Sequence, residues 1–62
     1  MRRFQCSAEE IDDKGAVIGE LIDIQSIFGR NATEAQNSFI LKNAAALDKA
    51  GKKFQVTVIP FS

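Results

Sequence analysis

The feature that most constrains the fold is a turn signal, Asp-Asp-Lys-Gly at residues 12–15, between two segments in which apolar and polar residues alternate. Alternation with a period of two is typical of half-buried strands. A type I bend followed by glycine in the left-handed region closes such strands into a hairpin. The sequence therefore predicts a strand over residues 2–12, a turn over residues 12–15 and a second strand over residues 16–25.

The turn also predicts the register of the hairpin. With Asp12 opposite Ala16, Phe4 pairs with Ile24, and apolar side chains from both strands fall on one face of the sheet. The residues expected on this inner face are Phe4, Cys6, Ala8, Ile18, Ile22 and Ile24. Turn chemistry and hydrophobic pattern thus favour the same pairing.

A rival interpretation takes residues 7–10, Ser-Ala-Glu-Glu, as a capping box that opens a short helix ending at Gly15. Between residues 8 and 14, only Ala8 and Ile11 are apolar, which is too little to anchor a helix. The hairpin is therefore the favoured interpretation of the first half of the chain.

The second half of the chain predicts one helix, over residues 32–50. Asn31 and Thr33 are both good N-caps, and Gly51 suits the position after the last helical turn. With the helical period of about 3.6 residues, one side of the helix is an apolar stripe. Its members are Ala35, Phe39, Ile40, Ala46, Leu47 and Ala50. Asn43 falls in the middle of this stripe, where it either bonds a backbone group or marks a polar rim.

The remaining segments predict a third strand and a loop. Residues 53–60 alternate in polarity and form a strand that ends at Pro60, because proline cannot donate to a ladder. Residues 26–30 are expected to form a loop whose Ile27 and Phe28 cover the end of the core.

Together these elements predict a single small α+β domain over residues 1–62, with the order ββαβ. A right-handed crossover makes the third strand parallel to the second and antiparallel to the first. The expected architecture is a three-stranded antiparallel sheet, with the first strand in the centre and one helix packed on one face. A domain of this size buries only about 60% of the surface that its unfolded chain exposes, so oligomerisation or a partner would help to stabilise it.

The composition gives no support to several classes of function. Eight basic residues balance eight acidic ones, so the chain has no bulk positive field that would attract nucleic acid or anionic lipid. One cysteine and no histidine exclude an internal disulfide, a Cys/His zinc site and a histidine general base. Cys6 is expected to be an inert buried thiol. We therefore expect no enzyme, no cofactor and no metal site.

The sequence also predicts a location. No apolar run approaches the ~18 residues of a membrane span, and the first residues lack the apolar stretch of a signal peptide. The expected location is the cytoplasm, with no membrane partner.

Acidic residues are concentrated at the predicted hairpin turn. They are Glu9, Glu10, Asp12 and Asp13. A solvated turn neutralised by lysines is the first interpretation, and an acidic protein-binding surface is the second. A cation site has the weakest support, because the spacing does not match a calcium loop and neighbouring strand residues point to opposite faces.

The main functional hypothesis is a non-enzymatic protein-binding module. The outward sheet face is expected to carry exposed aliphatic residues, with Phe61 as a further candidate, and a contiguous apolar stripe indicates a partner protein or a homodimer. Together with acidic residues of the hairpin, the partner-binding residues are expected to be Glu9, Ile11, Asp12, Asp13, Val17, Leu21 and Ile59. The outer helix face carries Leu41.

The alternative is a small nucleic-acid-binding module. Its basic residues would be Arg2, Arg3, Lys52 and Lys53. The predicted topology places the arginines and the lysines at opposite ends of the domain. The chain has no Tyr or Trp, and its five Phe residues are mostly expected in the core, so the stacking surface of single-strand binders is lacking.

The order hairpin, helix, strand is accompanied by Asn-Ala-Thr-Glu-Ala at residues 31–35, Ala-Gly at residues 50–51 and Phe-Gln-Val-Thr-Val at residues 54–58. In these features the chain resembles small phage-encoded host-takeover proteins, among them the short phage inhibitors of bacterial RNA polymerase. The resemblance covers roughly the second half of the chain and the overall topology. It implies stoichiometric inhibition of a host protein in the host cytoplasm, and it transfers no functional residue.

Overall fold

The computed structural model describes residues 1–61 as a three-stranded sheet covered by two consecutive helices. The elements are β1 (Arg2–Ile11), β2 (Val17–Gly29), α1 (Ala32–Lys42), α2 (Ala44–Ala50) and β3 (Phe54–Pro60). The strand order is β2-β1-β3, and β1 is antiparallel to both neighbours. The α+β class, the ββαβ order and the central position of the first strand are confirmed, with a second short helix in addition.

The hairpin turn forms at the expected residues. The carboxylate Oδ1 of Asp12 accepts the N–H groups of Lys14 at 2.8 Å and Ala16 at 2.9 Å. The N–H of Gly15 donates to the carbonyl of Asp12 at 3.0 Å, and Gly15 has a φ of 84°. Asp12 therefore supplies the side-chain acceptor that closes the turn, and Gly15 supplies the left-handed backbone.

The expected hairpin register is correct only beside the turn. The N–H of Asp12 donates to the carbonyl of Ala16, but Phe4 pairs with Ile27 instead of Ile24. The pairing shifts between Glu10 and Ile11, between Ala8 and Glu9, and between Cys6 and Ala8. Each shift places one extra residue in β2, as a β-bulge does, and bulges leave little trace in a pattern of alternating polarity.

These shifts change which side chains of β2 reach the core. Ile18 and Ile24, both expected on the inner face, are exposed, with Ile24 at 60%. Ile27, expected in a covering loop, belongs to β2 and is 6% exposed. Leu21, expected on the outer face, packs against the core beside Ile22. The strand also continues to Gly29, so the loop expected over residues 26–30 does not form.

The core lies between the sheet and the helices. Its buried residues are Phe4, Cys6, Ala8, Ile27, Ala35, Phe39 and Leu47. The β1 residues of this set alternate, as expected, and the helical ones follow the apolar stripe. Phe39 and Cys6 are the largest fully buried side chains, so α1 is anchored over the centre of the sheet.

The expected single helix over residues 32–50 is wrong in one respect, because it is interrupted at Asn43. There the backbone has φ −110° and ψ 14°. The side-chain Nδ2 of Asn43 donates to the carbonyl of Phe39 at 2.8 Å and to Oε1 of Gln25 at 3.0 Å, and Nε2 of Gln25 donates back to Asn43 Oδ1 at 3.2 Å. The backbone N–H of Asn43 also donates to the Phe39 carbonyl, at 3.1 Å, so the interruption lies where the Asn43 side chain pairs with Gln25 of β2. The side-chain amide of Asn43 thus has hydrogen-bond partners in the backbone of α1 and in Gln25 of β2.

The helix ends follow the sequence signals. Oδ1 of Asn31 accepts the N–H of Glu34 at 2.8 Å, and Gly51 adopts the left-handed C-cap conformation with φ 61°. Just before α1, β2 approaches the helix closely, because a Cβ added to Gly29 would lie 2.8 Å from the backbone N of Ala35. Glycine at this position allows the strand to lead directly into the helix.

Candidate interaction surface

The residues expected to bind a partner lie in separate parts of the sheet. Ile11 and Val17 are opposite each other in the β1–β2 ladder beside the turn, and Asp12 and Asp13 lie in the turn itself. Ile59 is opposite Gln5, about 20 Å along β1 from Ile11 at ~3.3 Å per residue. Leu21 faces the core. The contiguous aliphatic stripe expected across three strands is therefore interrupted.

The centre of the outer face is polar because of Glu9. Its carboxylate accepts hydrogen bonds from Ser7 Oγ and Thr57 Oγ1, both at 2.6 Å. Partial burial raises the pKa of Glu9, but hydrogen bonds from Ser7, Thr57 and Gln55 outweigh this and leave the pKa below its ordinary value. We call these residues the polar band, which consists of Ser7, Glu9, Gln55 and Thr57. The carboxylate of Glu9 is engaged in hydrogen bonds within the sheet.

An aromatic surface lies at the end of the sheet away from the turn. Arg3 is the Cα partner of Phe28 in β2, and its carbonyl accepts the N–H of Phe61 at 2.9 Å. Directly opposed strand residues point to the same face, so Arg3 lies between the two rings on the outer face. We call this surface the Arg3 patch, and it consists of Arg3, Phe28, Ile59 and Phe61.

The Arg3 patch is exposed and partly ordered by its own contacts. Phe28 is 58% exposed and Phe61 45% exposed. The guanidinium carbon of Arg3 is 4.0 Å from the centroid of the Phe61 ring, the geometry of a cation–π contact. The patch therefore combines two exposed rings with a fixed positive charge.

A cleft adjoins the patch where β1 begins and β3 ends. Its volume is ≈ 380 Å³. It is lined by Met1, Arg2, Arg3, Phe4, Pro60 and Phe61. The cleft extends the patch around the end of the sheet and adds a second arginine to its border.

Sequence reasoning missed the role of Phe28 and of the patch as a whole. Phe28 was expected to cover the core from a loop, whereas Ile27 takes the inner position and turns Phe28 outward. The only available signal was the pair of adjacent apolar residues, which does not indicate which of them faces inward. Phe61 was a candidate for the outer face, and it lies there.

The thiol, the acidic residues and the lysines of the described chain form no catalytic or metal-binding cluster. Cys6 is fully buried, and burial raises the pKa of its thiol. In residues 1–61, no group of three or more Cys, Asp or Glu side chains is placed to hold a metal ion. The backbone of Lys53 bonds Ile11, which brings the lysines to the turn end, but within the described chain the only ion pair joins Arg30 and Glu34.

The two helices are short. Within residues 1–61, neither α1 nor α2 is long and apolar enough to cross a lipid bilayer. Both lie against one face of the sheet through the apolar residues of the core.

The comparisons with known proteins identify no relative. No family model, no curated protein and no solved structure matches the chain. No activity, partner or site residue can therefore be taken from another protein.

Proposed function

We propose that this protein is a small non-enzymatic protein-binding module that contacts its partner through the Arg3 patch. The observation that supports this most is the pair of exposed rings, Phe28 and Phe61, on either side of Arg3. Aromatic residues and arginine contribute most of the binding energy at many protein interfaces. A cluster of them on an open sheet face is a typical interaction site.

The geometry indicates the chemistry of the partner. Stacking on Phe61 restrains the Arg3 side chain, so less conformational entropy is lost when a partner orders it. The edge of a stacked guanidinium can still donate to a carboxylate. The partner surface that fits is therefore apolar, to cover the two rings, with a carboxylate placed over Arg3.

The narrower form of this proposal is that the partner is a host protein and that binding inhibits it. The resemblance to small phage-encoded host-takeover proteins motivates it, and a module without catalytic groups would act by stoichiometric binding. Production of the chain in a bacterial host should then slow growth, and the same amount of the Phe28→Asp variant should not. Growth inhibition that survives Phe28→Asp would contradict this form.

The binding proposal is tested with Phe28→Asp and a matched control, Leu41→Asp. Leu41 is 78% exposed on α1 and lies outside the patch. Partners are captured from a bacterial lysate, identified and purified, and their affinity is measured by calorimetry. We expect Phe28→Asp to weaken binding at least about tenfold, the effect of a central interface residue, and Leu41→Asp to leave it unchanged.

Circular dichroism should show both variants folded. Capture of no stoichiometric partner, or equal affinity of wild type and Phe28→Asp, would count against the proposal.

A second candidate, single-stranded nucleic-acid binding, is favoured by one specific observation. Exposed aromatic rings beside an arginine on a sheet face are the arrangement on which bases stack. Lys52 and Lys53 cannot extend this site, because Lys53 pairs with Ile11, about 26 Å along β1 from Arg3. Fluorescence anisotropy with labelled oligonucleotides would support this function if binding weakens with salt and is lost in Phe28→Asp and Arg3→Gln.

A second copy of this chain is also a proposed partner. The polar band divides the outer face, so the free edge of β3 is the part of the sheet that favours self-association.

A further inference from the structure

Strand β3 forms one edge of the sheet and has backbone groups that point away from β1. The carbonyl of Lys53 accepts the N–H of Ile11 at 3.0 Å, and the N–H of Phe61 donates to the carbonyl of Arg3 at 2.9 Å. In an antiparallel ladder, every second residue of an edge strand bonds its neighbour and the others point outward. The outward residues of β3 are therefore Phe54, Val56, Val58 and Pro60.

These outward groups have no partner within residues 1–61. No backbone or side-chain group in that range bonds the N–H of Phe54, Val56 or Val58. Pro60 has a carbonyl but no N–H. Each copy thus offers three consecutive outward donors, followed by a position that can only accept.

The two edges of the sheet are protected to different degrees. The edge strand β2 has three register shifts against β1 and carries Glu20 and Asp23, and proteins use bulges and charges to prevent edge-to-edge pairing. The strand β3 pairs with β1 without a shift and has no charged residue. Pro60 protects only its last position, so β3 is the edge that can accept another strand.

We propose that β3 pairs antiparallel with β3 of a second copy, with Val56 on the two-fold axis, to form a continuous six-stranded sheet. This register places Phe54 opposite Val58 of the second copy, so that every outward N–H of both copies faces a carbonyl. A shift by one step of the ladder would bring Pro60 opposite Phe54, whose N–H could still donate to the Pro60 carbonyl, but it would oppose polar Gln55 to apolar Ile59. The three outward donors are symmetric about Val56, and the side-chain pairing favours this register over the shifted one.

The side chains fit the same register. Phe54, Val56 and Val58 are half-buried and pack against the core. The core covers one side of these side chains, and the side toward the free edge of the sheet stays uncovered. In the dimer Val56 lies beside its own copy, and Phe54 beside Val58, which buries apolar surface on both sides of the axis. On the outer face, Gln55 meets Thr57 of the second copy, and no like charges are opposed.

The test measures self-association of the full chain by sedimentation equilibrium. We expect wild type to dimerise to twice its 6.8 kDa mass, and Val56→Pro, which removes the donor on the axis, to weaken dimerisation at least tenfold. A chemically synthesised chain with an N-methyl group on Val56 removes the same donor and keeps the valine side chain, in case Val56→Pro fails to fold. Phe28→Asp should dimerise like wild type.

A disulfide experiment tests the register. Non-bonded antiparallel pairs have Cα atoms about 4.5 Å apart, which suits a disulfide. A mixture of the Gln55→Cys and Thr57→Cys chains should therefore form the mixed disulfide on mild oxidation, while neither variant should cross-link with itself.

Three results would overturn the proposal. A 6.8 kDa species at millimolar concentration excludes the dimer. Dimerisation lost in Phe28→Asp but kept in Val56→Pro assigns association to the Arg3 patch. If the wild-type chain binds extended peptides of other proteins at this edge but does not self-associate, β3 is a docking strand for a different partner. Partner binding through the Arg3 patch can fail or succeed independently of each of these results.

Discussion

The two ladders of the sheet share the strand β1 but differ in regularity. From Phe4 opposite Pro60 to Glu10 opposite Phe54, β3 follows β1 in one register, whereas β2 shifts against it three times. The regular ladder involves a strand of seven residues, and the irregular one a strand of thirteen. A tight turn thus fixes the pairing near itself, while packing against the helices decides the pairing farther along.

The largest expected effect tests which isoleucine of β2 occupies the core. Ile27→Ala should lower the free energy of unfolding by roughly 2–5 kcal/mol, because it removes a buried side chain beneath the helices. Ile24→Ala should change it by less than about 0.5 kcal/mol, because Ile24 is on the exposed surface. Urea unfolding of both variants measures the difference. The reverse order would restore the uniform register that places Ile24 opposite Phe4.

A smaller effect is expected where β2 meets the helix. Gly29→Ala should destabilise the fold by roughly 1–3 kcal/mol, because its Cβ would collide with the backbone of Ala35. Gly19→Ala is the matched control, since a Cβ there meets only side-chain atoms of Glu10, the nearest at 3.6 Å. Thermal unfolding of the two variants should separate them, and equal midpoints would mean that the strand can move away from α1.

The smallest effect concerns the regular ladder, where Glu9 joins β1 to β3. Because hydrogen bonds hold the folded-state pKa of Glu9 below its unfolded value, the carboxylate stabilises the fold above the unfolded pKa. This contribution is lost as pH falls through the folded-state pKa. The wild-type chain should therefore lose more stability on acidification than Glu9→Gln, in urea titrations at a series of acidic pH values. Parallel pH profiles for the two chains would exclude this linkage.

Local signals predicted the parts of the fold that depend on a few neighbouring residues. The Asp12 turn, the Asn31 and Gly51 caps and the alternation of Phe4 and Cys6 each depend on short-range backbone preferences and are found in the structure. The central position of β1 followed from the handedness of the crossover.

The bulges and the interruption at Asn43 could not be predicted in this way, because both depend on contacts between distant elements. An extra strand residue is favoured only when it lets Ile27 reach Phe39 and the rest of the core. The Arg3 patch depends on the same shifts, since they place Phe28 opposite Arg3. The surface proposed for binding is thus a product of the tertiary register, and a pattern of single residues does not contain it.

The amide pair between Gln25 and Asn43 has a consequence for the fidelity of folding. Gln25 is opposite Cys6 on the inner face, and each amide of the pair satisfies the other. If β2 slipped by one residue, Gln25 would turn to the opposite face and Asn43 would lose this partner in a half-buried site, at a cost of about 1–3 kcal/mol. The pair therefore favours the native register over mispaired forms of the hairpin, even though it adds little to the apolar core.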